Sequence, residues 1–482
     1  MNVREQLKRL SGDSLVYGFG QVAGKAVNLL LVPVLVRTLL QQQFGVSDLV
    51  LSYSASVLLV LVFGMDGALA RFFYEQPDGE SRIRMVSSSF VFRLLIGGTV
   101  STILVLSSGW LADHVLGGAA YAKYVRLGAL TLPFSLFCLF SNDVLRVTFQ
   151  PWKFITLNIT QAVLVGGLTL WFVIGKHLGV AGVLYGKLLG DAGTASLGLV
   201  LCRHSLKLRF SRTLLRKMLT YGVPLMPVSF AYGIIGSVDR YTLQRHANLE
   251  TVAIYGVAMK FFAVVTMAVS AFQLAFGPWA FAQAKHEGSG VLFARVFALY
   301  LTVASFGALA CGLFAPTIVS LLATKSYAAA AAPALWLAFA AVAQGAYYVA
   351  ALGINLSLRT SLVVWTAGGA AVVATLANLV LTPRFGAEGA AAATCMGYAS
   401  SAVFAYLVAQ RVHPLPYRGA RLALLFLGAL GLGVAATRLA PAGAGGIGVK
   451  LGALVVFAVL AWRLEVWTDR GAVKHRAQPF AQ

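Results

Sequence analysis

Charged and amide side chains set inside long apolar stretches are the places where this chain can do chemistry. An ionisable group at the centre of a bilayer costs at least about 2.5 to 3.5 kcal/mol on insertion scales, so it faces a wet cavity or a partner. Gln21, Lys25 and Asn28 follow an i, i+4, i+7 spacing and so share one helix face. Lys25 lies deep in its apolar stretch with no acid on its own helix, which reads as a cavity-facing cation or as one half of a pair with another helix. Lys260 lies equally deep in the second half of the chain, and two such lysines would draw an anion into a chamber between the halves. Lys187 and Asp191, spaced i, i+4 in YGKLLGDAG, can neutralise each other. In FSNDVLRV, Arg146 can bind Asn142 beside Asp143, snorkel to the interface, or serve as a gate or head-group contact. Arg71, in GMDGALARFF, and Arg93 lie within a few turns of the surface; snorkelling accounts for both, and either is placed to meet an anionic head group. Asp239 and Arg240 read as a local ion pair or a substrate contact. Tyr232, Gln273, Gln344, Tyr347, Tyr348 and Asn355 supply what a sugar-tolerant lining needs, or equally what glues helices together.

The substrate-binding candidates are therefore Lys25, Lys260, Gln21, Asn28, Arg71, Arg93, Arg146, Arg240, Tyr347 and Asn355, with Lys187, Asp191 and Asp66 as ion-coupling or structural groups. Catalytic patterns are missing: the sequence has no G-x-S-x-G, no H-E-x-x-H and no Walker loop. The seven histidines fall mostly in loops and form no metal-ligand spacing. No cofactor, metal or enzymatic activity is expected.

The elements that must position these residues are membrane helices. Of 482 residues 59% are hydrophobic and 11% charged, with a mean hydropathy of +0.80; a soluble domain needs about a quarter of its residues charged. Apolar runs of roughly 20 residues, the length that crosses a hydrocarbon core, recur along the whole chain. They are continuous and rich in Gly and Ala, unlike barrel strands, so the fold class is all-α and polytopic. Cys138, Cys202, Cys311 and Cys395 fall in or beside these runs, far apart, as small packing residues. The net charge of +22 is spread between the runs and gathered into no nucleic-acid stripe.

Fourteen spans are expected, centred near residues 26, 59, 97, 133, 164, 193, 227, 266, 306, 342, 371, 399, 428 and 456. The connections on the side of the N-terminus hold roughly 24 of the 38 Lys and Arg, and those on the other side roughly 10, which puts both termini in the cytoplasm. Residues 1–12 read as a basic amphipathic start on the cytoplasmic face, with the first span an uncleaved anchor. The densest basic connection, RHSLKLRFSRTLLRK, falls at mid-chain. It suggests an N-lobe at 13–205, a linker at 206–217, a C-lobe at 218–412, two further spans at 413–466 and a cytoplasmic tail at 467–482. No connection is long enough to form a soluble domain.

Internal similarity points the same way. Tyr17-Gly18 answers to Tyr221-Gly222, Phe44-Gly45-Val46 to Tyr255-Gly256-Val257, and Gly179 and Gly182 of LGVAG to Gly386 and Gly389 of FGAEG. Matches in the same order at nearly one offset argue for a duplicated six-span unit. An even number of spans gives both copies the same orientation, related by an axis along the membrane normal with a cavity between them.

A basic start, a first span ending in LVPVLVRTLL, then QQQFGVSDLVLSYS and GMDGALARFFYE, together with SVDRYTLQRHANLETVAIYGVAMKF, LGVAGVLYGKLLGD and FGAEGAAAATCMGY, resemble the polysaccharide transporter family of the multidrug, oligosaccharidyl-lipid, polysaccharide (MOP) superfamily. The resemblance runs over essentially the whole chain. It implies a flippase that moves polyprenyl-diphosphate-linked oligosaccharides, such as O-antigen or exopolysaccharide units, across a bacterial inner membrane by alternating access. Its partners would be that lipid-linked oligosaccharide, membrane lipids, and a glycan polymerase with its chain-length machinery. By that resemblance Lys25 and Lys260 take the role of cavity cations that hold the diphosphate, and the last two spans that of a groove for the lipid tail. Two rivals compete. A cation-coupled drug antiporter of the same fold needs an uncompensated deep acid, whereas Asp66 and Asp191 have basic neighbours in Arg71 and Lys187. An integral-membrane glycan polymerase or ligase needs an acidic pair or a large outer loop.

Overall fold

A computed structural model describes residues 24, 26–27, 29–207, 209–284, 286–357, 359, 361–439 and 444–464. The expected amphipathic start, Gln21, Lys25, Asn28 and the tail at 467–482 lie outside the described residues. Among the described residues every regular element is helical.

The first helix, α1, is described over Leu29–Thr38. It is followed by α2 (Gln41–Leu61), α3 (Met65–Phe72), α4 (Gly79–Leu106), α5 (Ser108–Leu116), α6 (Ala122–Val147), α7 (Pro151–Leu170) and α8 (Gly179–Cys202). Next come α9 (Arg212–Gly222), α10 (Met226–Ile235), α11 (Val238–His246), α12 (Leu249–Gln283), α13 (Ser289–Leu313), α14 (Ala315–Leu322), α15 (Ala331–Ala350) and α16 (Leu352–Leu356). The chain ends through α17 (Leu362–Val412), α18 (Gly419–Leu439) and α19 (Ala444–Arg463).

Eleven helical stretches among the described residues are long and apolar enough to cross a membrane. The longest, α17, has 51 residues, and Gly386 breaks it at φ 56°, ψ −131°. A Cβ on Gly369 would lie 2.9 Å from the Phe404 ring. In one straight rod those residues would stand about 50 Å apart, so α17 is two spans folded back on each other. Counting α17 as two and adding the 24-residue α8 gives thirteen spans among the described residues, and most of the first expected span lies outside them.

Glycines that the repeat pairs stand at two of the turns. Gly179 opens α8 at φ +56°, and Gly386 turns α17 at the same φ. Three residues on, a Cβ on Gly182 would meet the Phe172 carbonyl at 3.1 Å, and one on Gly389 would collide with the Leu381 carbonyl. Each turn therefore needs a left-handed residue first and a bare backbone second. A third crossing joins the kinks of two spans. Phe63 and Gly64 adopt φ 53° and 64°, and a Cβ on Gly64 would fall 2.8 Å from Gly222 Cα.

The chain forms two compact units, Met1–Gly256 and Val257–Gln482. This division falls later than the basic connection, because the seventh span stays with the first unit. There Arg240 of α11 bonds Asp48 of α2. The connection itself is pinned to α4: Ser211 N donates to Ser88 Oγ at 2.8 Å, Lys207 N to Ser87 Oγ at 3.3 Å, and Arg209 meets Glu80 at 2.8 Å.

In the second unit the tenth span is the hub. The apolar stretch of Lys325–Leu356 is 89% buried, with Leu337 to Val342 showing no exposed surface. Its alanines and Gly345 let neighbours approach to van der Waals contact; Tyr300 fits over Gly345 and donates its hydroxyl to the Val342 carbonyl at 2.9 Å.

Candidate functional site

Three buried polar clusters lie in the first unit, each built from helices that the local sequence brings close. In the first, Gly182, Gly186 and Gly190 recur every fourth residue on one face of α8. A Cβ on Gly190 would stand 2.7 Å from Val165 Cα, so α7 and α8 meet backbone to backbone. That close approach sinks Asp191 to zero exposure. Its carboxylate accepts from Lys187 Nζ at 2.7 Å, Gln161 Nε2 at 2.9 Å and Ser135 Oγ at 2.5 Å. The expected Lys187 pairing is present, and donors from α6 and α7 complete it. Lys187 stays 29% exposed and so connects this buried acid to the surface of the unit.

The second cluster corrects three expectations. Arg93 is fully buried and does not snorkel. It sits half-way along α4, roughly 20 Å from the start of the helix, and an acid on the adjacent helix is nearer than the interface. Its Nη2 donates to Asp143 Oδ2 at 2.8 Å, and its guanidinium carbon lies 5.6 Å from the Phe140 ring centre. Its Nε and Nη1 have no hydrogen-bond partner among the described residues. Arg146 pairs with Asp143 Oδ1 at 3.3 Å rather than with Asn142. Asn142 instead accepts from Asn158 Nδ2 at 2.8 Å, an amide contact between α6 and α7. Asp66 is exposed and makes no ion pair with Arg71 among the described residues. Residues five apart on a helix project well off a common face. Arg71 lies instead over the Tyr221 ring at 5.1 Å.

The third cluster was the least foreseen. Arg240 donates from Nε to Asp48 Oδ2 at 2.8 Å, and its Nη1 lies 3.5 Å from Asp239 Oδ1. Tyr255 donates its hydroxyl to the other Asp239 oxygen. Arg240 is therefore held from α2 as well as by its chain neighbour. Room for Asp48 comes from Gly256, where a Cβ would stand 2.9 Å from the Asp48 carboxyl carbon. Sequence reading missed Asp48, Ser135 and Gln161. The one available signal was that Asp48 is an acid in an otherwise apolar run.

In the second unit, Lys260 is half-buried on α12. Gln273 of that helix hydrogen-bonds the Tyr348 hydroxyl of α15, and the Tyr347 and Tyr348 rings lie 5.6 Å apart. Gln344 and Asn355 are half-buried on α15 and α16, and Tyr232 is half-buried on α10 of the first unit. The structure thus joins Lys187 to Asp191, Arg93 to Arg146 through Asp143, and Gln273 to Tyr348. Each of these contacts crosses between or along helices and holds them in register; none presents a nucleophile beside a base.

Residues 12–283 match the profile of a family described as polysaccharide biosynthesis protein. A protein of the Lsg locus of Haemophilus influenzae is 22% identical over 287 residues, 57% of this chain and 67% of that protein. Among solved structures, the lipid II flippase MurJ in an inward closed conformation superposes at a TM-score of 0.70 and 12% identity, over 94% of this chain and 98% of the other. A variant of the MATE transporter VcmN of Vibrio cholerae gives 0.62 at 14% identity, over 84% and 96%. An outward-facing multidrug resistance MATE family transporter of the MOP superfamily gives 0.60 at 17%, over 84% and 95%. At such identities these likenesses speak for the fold.

Proposed function

The chain belongs to the polysaccharide biosynthesis protein family, and from that premise we propose that it is a flippase for polyprenyl-diphosphate-linked oligosaccharide repeat units, of the O-antigen or exopolysaccharide kind. It moves them from the cytoplasmic to the outer leaflet of a bacterial inner membrane by alternating access, with both termini in the cytoplasm. The observation that carries this reading is the extent of the likeness to a lipid flippase, 94% of the chain, against 84% for the drug transporters. The two last spans, α18 and α19, are the part of the chain proposed to serve the lipid tail.

Physical chemistry supports the assignment. A diphosphate leaving water needs compensating cations, and Lys25 and Lys260 are the lysines proposed to meet it. The glycan needs hydroxyl and amide contacts, which Tyr347, Gln344 and Asn355 would offer. Binding stays moderate, because a ligand held equally in both states shifts no equilibrium. A glycan polymerase and its chain-length machinery are the expected partners in the cell. The acid that an antiporter would titrate, Asp191, already accepts three hydrogen bonds.

The test is a deletion strain of the source bacterium. Loss of the chain is expected to abolish the surface glycan and to leave lipid-linked repeat units accessible only from the cytoplasmic side. Normal surface glycan together with altered drug tolerance would reject the reading.

A further inference from the structure

Lys187 is the cation of the first unit whose surroundings say most about what it meets. α8 has 24 residues from Gly179 to Cys202, and Lys187 stands about 12 Å along it, well inside the span. Its side chain keeps 29% of its surface exposed. An ammonium at that depth does not rest in lipid. Nor does it snorkel: Nζ reaches Asp191 at 2.7 Å, one turn further into the helix and away from the nearer end.

The rest of the helix gives the direction of that exposure. An α-helix turns about 100° per residue, so Tyr185, Leu189 and Val200 stand about 140° to 160° round the axis from Lys187. These three are exposed and form the stripe of α8 turned to lipid. Val183, Leu184, Asp191 and Thr194, all within about 60° of Lys187, are buried. Lys187 therefore faces into the unit, toward α6 and α7, where Ser135 and Gln161 share Asp191 with it. Polar groups continue along that seam: Asn158, one turn before Gln161 on α7, is half-buried and donates to Asn142 of α6. The exposed part of the lysine thus opens on a polar seam of the unit, where its partner is water or a solute.

The two members of the pair are not equally committed to it. An ammonium has three donors, and among the described residues Asp191 is the only group that Lys187 hydrogen-bonds. Asp191 also accepts from Ser135 and Gln161, so departure of the lysine does not leave the carboxylate bare. The lysine stem is flexible and the partners lie on one helix, so rotamer changes alone open and close the pair. A phosphate offers more negative charge and more acceptor oxygens than a carboxylate, and it competes for the same ammonium.

We propose that Lys187 is an exchangeable cation of the substrate site: Asp191 neutralises it while the site is empty, and the phosphate of the incoming lipid-linked ligand takes it over. This role rests on the flippase reading and adds to it a residue and a control on affinity. The lysine serves the ligand only for the fraction of time it spends off Asp191, and the carboxylate weakens apparent binding by that fraction. Asp191 is then an internal competitor, which keeps binding moderate and takes the lysine back when the ligand leaves.

Thermal-shift titration of the detergent-solubilised full chain tests it, with undecaprenyl diphosphate as the probe and uncharged undecaprenol as the control. K187Q is expected to weaken binding of the diphosphate about tenfold or more, the effect of one lost charge-assisted hydrogen bond, and to leave undecaprenol unchanged. D191N keeps the lysine and the shape of its neighbour, and is expected to bind the diphosphate about threefold or more tighter than the wild type. A pair that only holds helices in register would not tighten binding when it is broken. D191N no tighter than the wild type, K187Q equal to it, or an equal loss of both probes in K187Q overturns the proposal and leaves the flippase reading standing. A wild type that does not bind undecaprenyl diphosphate contradicts both.

Discussion

In the first unit neighbouring helices are tied through buried charge, whereas in the second the central helix α15 is tied through small apolar side chains. Asp191, Asp143 and Arg240 each join residues from two or three helices of Met1–Gly256. By contrast, the hub of the second unit is a run of alanines without exposed surface, with Tyr300 seated on Gly345. The same helical hairpin, turned at Gly179 in one unit and at Gly386 in the other, is thus stabilised in two ways. A charge cluster tolerates little change of chemistry; a close-packed bed of alanines tolerates little gain of volume.

Substitutions that confuse the two modes can break this contrast. The largest effect is expected for Asp191→Ala, which leaves Lys187, Ser135 and Gln161 aimed at nothing. Breaking a buried pair in this way costs about 3 to 5 kcal/mol, read as a fall in the unfolding temperature of the detergent-solubilised protein. Wild-type stability would mean that the cluster is not what joins α6, α7 and α8. In the second unit the matching injury is steric. Gly345→Val collides with Tyr300, and overpacking of this kind costs about 1 to 3 kcal/mol, whereas Gly345→Ala, which adds the Cβ alone, should cost less. A coupled pair sharpens the comparison further. Asp143→Leu strands the buried Arg93, and adding Arg93→Met should return about 0.5 to 3 kcal/mol as a favourable coupling in a double-mutant cycle. Strict additivity would argue that the two side chains do not meet.

Smaller effects belong to the surface. The Lys217–Glu75 pair is 45% and 48% exposed, and Lys217→Gln should change stability by less than about 1 kcal/mol. Among these surface groups is also Asp78, the cap of α4, whose carboxyl accepts from Ser81 N and is thereby held below the ordinary carboxylate value. A depressed folded-state value makes this contribution fully present above the unfolded-state value and lost as pH falls through the folded one. A pH titration of stability should therefore lose the Asp78→Ala difference only in strong acid, below the usual carboxylate range.

How much of this was legible in the sequence depends on the distance over which partners meet. Lys187 and Asp191 are four residues apart, so helix geometry alone pairs them. The glycines at 179, 182, 386 and 389 were visible because repetition marks them, and the structure supplies their reason, a left-handed turn and a backbone contact. Arg240 and Asp48 are 192 residues apart, and nothing local says which acid a buried arginine will find. Arg93 and Asp143, 50 residues apart, were hidden in the same way, and snorkelling was the reading that required no partner. Asp66 and Arg71 mislead in the opposite sense: they are near in sequence yet on different faces of one helix.

The central claim is transport of a phosphate-linked glycan lipid, and the direct measurement is flipping in vesicles. The purified full chain would be reconstituted with a fluorescent polyprenyl-diphosphate disaccharide, and the fraction protected from a membrane-impermeant quencher followed over time. The account predicts exchange well above that of empty vesicles. It also predicts that K25A/K260A slows exchange at least about tenfold, equivalent to 1.4 kcal/mol, without lowering the yield of folded protein. Exchange no faster than in empty vesicles, or a double variant as fast as the wild type, would contradict it.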